Sequence, residues 1–339
     1  MNKQKRVLIA RPDRIGDVVL STAISREIKK KWNDSYVAVL VRKYTADIFL
    51  NNPNVDEIII LDDHDDSIKS FFKKVWQIRK YKFTHSLSLL PTERLNYLLF
   101  FAGIPYRVGV SHKFYQFITF TKYVSRKKYN PLRHEADYCM DLARKIGVET
   151  SNYTPEIFLN ETEIESVQLL RKKYLADKKY LVGVHITSGN SAPNMPVIEY
   201  RKLIDRISQE KEISVVVTDN NIPKDDLTFP NDLFINEGKS LRESMIGFAS
   251  LDCLISASTG PMHIASALGI KTVSLFCPLT ACSPKLWGPL GNEAEIILPE
   301  EWYCNTKCPG DPKKCRFEGE GGINSEMIFE RLKKFLNLT

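Results

Sequence analysis

No stretch of this chain approaches the roughly 20 consecutive apolar residues that a membrane-spanning helix requires. Its first residues, MNKQKRVLIA, pass straight into a strand-like run without the apolar core of a signal peptide, so the expected compartment is the cytoplasm. Cysteine is sparse and odd in number, seven at irregular spacing, which fits reduced thiols rather than a disulfide framework. Cys304, Cys308 and Cys315 stand as C-x3-C-x6-C, but zinc takes four ligands and neither a fourth nearby Cys nor a His follows. No metal is expected there. The dinucleotide fingerprint is missing too: after the first strand only Gly16 stands where G-x-G-x-x-G needs three glycines. The second strand ends in Arg42 and Lys43 instead of an acid that would hold a ribose. A Rossmann oxidoreductase is disfavoured on both counts.

Acidic residues are absent from one long region. Between Glu93 and Glu135 there is none, while Arg94, Arg107, Lys113, Lys122, Arg126, Lys127, Lys128 and Arg133 alternate with Phe114, Tyr115, Phe117, Phe120, Tyr123 and Tyr129. A basic and aromatic surface suits nucleic acid or a lipid-linked anionic sugar at a membrane interface. Alternatively its aromatics are buried at a sheet edge and its charges merely solvated. The imbalance extends over half the chain: residues 1–150 hold 27 Lys and Arg against 16 Asp and Glu, the remainder 21 against 25. The two halves therefore have different electrostatic tasks, the first facing a polyanion or an anionic membrane.

A length of 339 residues favours two domains over one core. Strand-like runs at Arg6–Ala10, Tyr36–Val41, Glu57–Leu61, Thr84–Leu89 and Arg107–Val110 alternate with helical periodicity at 18–31, 68–79 and 93–101. That alternation argues a doubly wound parallel α/β sheet. The acidic run Asp62–Asp66 reads as a solvated loop. Residues 148–160 have the turn-rich composition of a linker. Strands at Tyr180–His185, Ile213–Thr218, Leu233–Ile235 and Cys253–Ile255, with intervening helices, build a second domain, and an amphipathic helix closes the chain over Ser325–Leu336.

Two turns carry chemistry. In Ser256–Gly269, SASTGPMHIASALG, a strand turns through Ser258, Thr259 and Gly260 into a helix with Pro261 in its first turn and Gly269 as its stop. Such a turn aims free backbone N–H groups at whatever fills the crevice, which makes an anion site. Met262 and His263 lie in the first helical turn. The plainer reading is an ordinary strand-to-helix connection with a structural His. In the loop RPDRIGD, Asp17 is placed to cap the first helix, for which Asp is a favoured residue, and capping does not preclude a chemical role.

The run 256–269 resembles the (D/S)-(T/S)-G-P-x-H-(I/L)-A-x-A-L-G signature of family 9 glycosyltransferases, the bacterial heptosyltransferases of the lipopolysaccharide inner core. The following KTVSLFCPLT and Trp287–Pro289 resemble the same family's pattern, as does the R-x-G-D turn carried by Arg14, Ile15, Gly16 and Asp17. His134 and Glu135 look like the family's H-E helix. Thr187, Ser188 and Gly189 match its phosphate loop, but the family's Lys falls at Pro193, its Trp at Met195, and the Asp found in many members at Ser258.

The resemblance implies a GT-B fold, two Rossmann-like doubly wound parallel-sheet domains facing across a cleft. Residues 1–155 would bind acceptor, 156–324 nucleotide-sugar, and helix 325–339 would cross back to the first domain. It implies inverting transfer from a nucleotide-diphospho-sugar, ADP-heptose, to a lipid-linked anionic oligosaccharide, with no obligatory metal cofactor. Asp17 would be the catalytic base. Thr187, Ser188, Gly189, Ser258, Thr259, Gly260, Pro261, Met262 and His263 would bind donor; Arg14, Lys113, Arg126, Lys127 and Lys128 would bind acceptor. The enzyme would sit peripherally on the inner face of the cytoplasmic membrane, with no nucleic-acid partner. Two rivals remain at this level, a non-catalytic sugar-nucleotide-binding protein and a GT-B epimerase; the donor sugar, the acceptor structure and the oligomeric state stay open.

Overall fold

The computed structural model describes residues 4–61, 67–221, 229 and 233–338, so the acidic run 62–66 lies outside the described residues. The chain divides into two compact units, 1–158 and 159–339.

The first unit alternates strands β1 (Arg6–Ala10), β2 (Tyr36–Val41), β3 (Glu57–Ile60), β4 (His85–Ser88), β5 (Tyr106–Val110) and β6 (Lys122–Val124) with helices. These are α1 (Ile15–Val19), α2 (Ala23–Lys31), α3 (Ile68–Lys80), α4 (Glu93–Phe101), α5 (Phe114–Ile118) and α6 (Glu135–Arg144). All pairings are parallel and the order is β3-β2-β1-β4-β5-β6. Strands buried on both faces explain the unbroken apolar runs VLIA and VAVLV. The helix expected over 18–31 is broken at Leu20–Thr22. There the hydroxyls of Ser21 and Thr22 bond back to the carbonyls of Val18 (2.7 Å) and Val19 (2.8 Å) and compete with the helical ladder. Thr22 Oγ1 also accepts the N–H of Glu156 (2.9 Å), and Arg26 pairs with the Glu156 carboxylate (2.6 Å), which ties the end of the linker to this unit.

The second unit contains β7 (Tyr180–His185), β8 (Ile213–Val217), β9 (Cys253–Ala257), β10 (Lys271–Leu275) and β11 (Ala294–Ile297). Its helices are α7 (Glu161–Leu175), α8 (Val197–Ser208), α9 (Leu241–Ala249), α10 (Gly260–Ala267), α11 (Pro284–Trp287), α12 (Glu301–Thr306) and α13 (Ser325–Phe335). The order β11-β10-β9-β7-β8 is again all parallel. Reciprocal capping boxes, Asn160 with Glu163 and Ser240 with Glu243, start α7 and α9. The strand expected at 233–235 is reduced to a single bridge between Phe234 and Val217.

The last helix, α13, buries Ile328 and Leu332 in the second unit's core with Tyr200, Leu203 and Ile207 of α8. Its amphipathic face needs an apolar partner, and the adjacent sheet supplies one. Asn324 caps it through Met327 N–H (2.9 Å), and Glu199 accepts from Ser325 N–H (3.0 Å).

Candidate functional site

In a doubly wound sheet, ligands gather beyond the carboxyl ends of the strands where strand order reverses. The first unit reverses between β1 and β4, the second between β7 and β9. The loops leaving β1, β7 and β9 carry the Asp17, Thr187 and Thr259 turns. The expected base and the expected donor residues therefore each stand at their own domain's switch point, whereas Lys113 and residues 126–128 follow β5 and β6.

At the first, Asp17 is in the opening turn of α1, whose N-cap is Arg14; Asp17 makes no cap bond. Its carboxylate pairs with Arg11. Arg11 is buried, donates to the carbonyl of Leu89 (2.9 Å), and also reaches Asp13 (3.5 Å) and Glu135 (3.4 Å). Glu135, itself buried, pairs on its other oxygen with Arg126 (2.8 Å). Asp17, Arg11, Glu135 and Arg126 thus form a chain of alternating charge. Burial pushes the Asp17 carboxyl above the ordinary aspartate range, with the Arg11 charge opposing. A carboxylate so placed is better matched to accepting a proton near neutrality than a solvated one.

The acceptor residues expected from sequence do not share one role. Arg126 is held inside by Glu135 rather than offered as a solvated cation. Arg14, Lys113 and Lys127 are exposed, and the Lys128 side chain lies outside the described residues. Arg11 was not singled out from sequence, because a single Arg after a strand carries no signal until Glu135, 124 residues later, is folded against it.

At the second switch point, α10 begins at Thr259, extended at φ −138° and ψ 175°, with Pro261 in its first turn and no side-chain cap bond. Thr259 Oγ1 is buried without a hydrogen-bond partner among the described residues. A buried hydroxyl so left is costly, and a phosphate oxygen would satisfy it together with the N–H groups of the helix start. Ser256 of β9 and Ser274 of β10 are adjacent in register, and their hydroxyls are likewise buried and unpartnered; sequence reasoning did not weigh either as a ligand group. Met262 is fully buried and His263 nearly so. The Met262 side chain is therefore part of the core, which leaves its backbone N–H among those of the helix start.

The loop after β7 is shaped by Asp219, a buried carboxylate accepting from the N–H groups of Ile186 (2.7 Å) and Thr187 (2.9 Å). Beside it, burial pushes the His185 imidazole down despite the Asp219 charge 3.6 Å away. Gly189 (φ 54°) and Asn190 (φ 56°) form the two left-handed corners of a turn closed by Ser191 N–H to Ser188 O, 2.9 Å. Ser188 spends its hydroxyl on Ala192 O (3.1 Å), whereas Thr187 is exposed. Pro193 and Met195 are both buried, so the two departures from the family pattern serve packing.

The tail thiols gain a neighbour that spacing could not reveal. Cys277, just beyond β10, lies close enough to Cys304, Cys308 and Cys315 for their charges to act on one another. The fold therefore brings a fourth cysteine beside the three of the tail. Among the described residues no three His, Cys, Asp or Glu side chains are grouped as a metal ion needs, and no helix is long and apolar enough to cross a membrane.

Comparison with known proteins bears on the family and the fold. Residues 72–315 match the model of glycosyltransferase family 9 (heptosyltransferase). A "Putative glycosyltransferase" of Haemophilus influenzae is 26% identical over 305 residues, 85% of this chain and 87% of that protein. The crystal structure of a family 9 glycosyl transferase from Veillonella parvula superposes with TM-score 0.80 at 22% identity, covering 99% of both chains. ADP-heptose lipopolysaccharide heptosyltransferase II of E. coli gives TM-score 0.77 at 18% identity over 98% of both. The two parallel-sheet domains and these likenesses make the fold GT-B.

Proposed function

This chain belongs to glycosyltransferase family 9 and is a glycosyltransferase, and from that premise we propose that it moves a heptose, with inversion, from ADP-heptose to a lipid-linked anionic inner-core oligosaccharide at the inner face of the cytoplasmic membrane. The observation that carries the reading is Asp17: a carboxylate raised by burial, oriented by a buried arginine, at the mouth of the first sheet. An acceptor hydroxyl attacks the anomeric carbon, and its proton passes to Asp17 as the new C–O bond forms. The bond from the anomeric carbon to the diphosphate breaks on the opposite face, leaving both electrons on the departing oxygen. The second domain meets that charge with the start of α10, the Thr259 hydroxyl and the loop of Thr187–Gly189. The donor's nucleotide and sugar are supported by the heptosyltransferase likeness, in which the E. coli protein is named for ADP-heptose.

The test is Asp17→Asn. The amide keeps the size of the side chain and removes the proton acceptor, so transfer should slow by ~10²–10⁴. ADP-heptose affinity, measured by calorimetry, should hold. A folded Asp17→Asn protein that binds donor and transfers at the wild-type rate overturns the assignment of the base. Sugar-nucleotide conversion without any acceptor overturns transfer itself.

A further inference from the structure

Polarity is inverted in one surface segment of the first domain, His112 to Tyr123. Its polar side chains are inside: Gln116, Thr119 and Thr121 are buried, with Asn96 and Arg107 beneath them. Asn96 donates to Thr119 Oγ1 (2.8 Å) and accepts from Thr121 Oγ1 (3.0 Å), Gln116 donates to Val110 O (3.1 Å), and Arg107 donates to Thr119 O. The apolar side chains are outside. Phe114 is 78% exposed, Phe117 72% and Phe120 85%, with Ile118 and Tyr123 also exposed. Phe120 holds φ at 53°, a backbone region that a bulky residue adopts only under strain. The buried network fixes the segment from below while its aromatics stand in solvent, so their exposure is built rather than a failure to pack. Contiguous apolar surface of this kind marks an interaction site.

We propose that this segment is a membrane wedge whose Phe114, Phe117 and Phe120 enter an anionic bilayer surface while the lysines around it hold the headgroups. The proposal rests on, and deepens, the membrane location in the proposed function. Four points select a bilayer over other occupants. The rim is cationic: Lys113, Lys122 and Lys145 are exposed, and Lys122 and Lys145 line an open cavity of about 660 Å³ with Phe117, Phe120 and Tyr123. No acidic residue occurs from 94 to 134, so the segment itself does not repel anionic lipid. Finally, a twofold contact between copies would set each lysine rim against its own kind, which disfavours self-association. Ile118, which offers no ring for a base to stack on, fits acyl chains better than nucleic acid.

The experiment is flotation of the full chain with vesicles of phosphatidylethanolamine and phosphatidylglycerol. Phe114→Ser, Phe117→Ser and Phe120→Asn together should weaken partitioning roughly a thousandfold, since each large apolar side chain inserted is worth on the order of a tenfold factor. Melting temperature should not fall, because the replaced rings are solvent-exposed and Asn accepts the left-handed conformation. Transfer to a short soluble acceptor fragment should be retained. Lys113→Gln with Lys122→Gln should weaken binding about tenfold at low salt and little at high salt. A folded triple Phe variant that still floats overturns the wedge while leaving the membrane location standing. Wild-type chain that never floats overturns both, and a wild-type dimer that the triple variant dissociates makes this surface a contact between copies instead.

Discussion

The two switch points handle charge in opposite ways. In the first domain, ionised side chains do it: two arginines and two carboxylates alternate in a buried chain ending at Asp17. In the second, backbone and hydroxyl groups do it: a helix start and the unpartnered Thr259 hydroxyl. Residues 151–339 carry more acid than base, yet this is the half to which a diphosphate is assigned. Local dipoles, not net charge, would hold it, because oriented N–H groups act within a few ångströms whereas scattered surface charges are screened. A site that must move a proton needs a titratable group with a tuned partner; one that must accept a leaving anion needs fixed donors.

The comparison is broken most severely by removing the pivot of the charged site. Arg11→Met leaves the buried Glu135 and the largely buried Asp17 without it, and loss of one partner of a buried pair costs about 3–5 kcal/mol. Denaturant titration should show this as a large fall in midpoint; a fall of only a few tenths of a kcal/mol would mean the carboxylates find water or Arg126 instead. Next in size is the effect on the donor side. Thr259→Val removes a hydroxyl expected to meet a phosphate oxygen, and a hydrogen bond to a charged group is worth about 1.5–3 kcal/mol, so donor affinity should fall roughly ten- to a hundredfold. Stability should hold or rise in the same variant, since an unpartnered buried hydroxyl is a cost in the free protein. Opposite signs for binding and stability are the signature; a variant losing both would make Thr259 a structural cap.

A smaller effect sharpens the contrast through pH. Because burial raises the Asp17 pKa, the acidic limb of kcat/KM should lie above the ordinary aspartate value of about 3.9. Activity is present above that limb and lost as pH falls through it, because the base must be ionised to accept the proton. Arg11 opposes the rise, so the conservative Arg11→Lys, which loses the forked contacts, should move the limb upward again. Donor binding, assigned to backbone and hydroxyl groups, should show no matching limb. An acidic limb unchanged in Arg11→Lys would detach it from Asp17.

Much of this architecture was legible in the residues. Apolar runs of four to six separated by helical periodicity follow directly from strands buried on both faces, and β1, β2, β7 and α4 have the expected bounds. Where local rules competed, the expectation slipped: the hydroxyls of Ser21 and Thr22 divide one expected helix into α1 and α2, and the run at 233–235 forms one bridge. The site was legible as two turns, since a Gly at the passage from strand to helix, followed in the second turn by Pro261, is a local pattern. What stood around each turn was not.

By itself the sequence determined the parallel α/β class, the two domains, the place of Asp17 at the exit of the first strand and the helix start at Thr259, because each depends on neighbours a few residues away. Tertiary structure alone decided that Arg11 meets Glu135, that Arg126 is turned inward, that Met262 is core and that α13 packs on the second domain. It also decided that Cys277 reaches Cys304, and that the phenylalanines from 114 to 120 face water while the threonine and glutamine among them do not. Charge pairing and burial are settled by contacts between distant segments. Composition counts the arginines and phenylalanines without saying which of them the fold encloses.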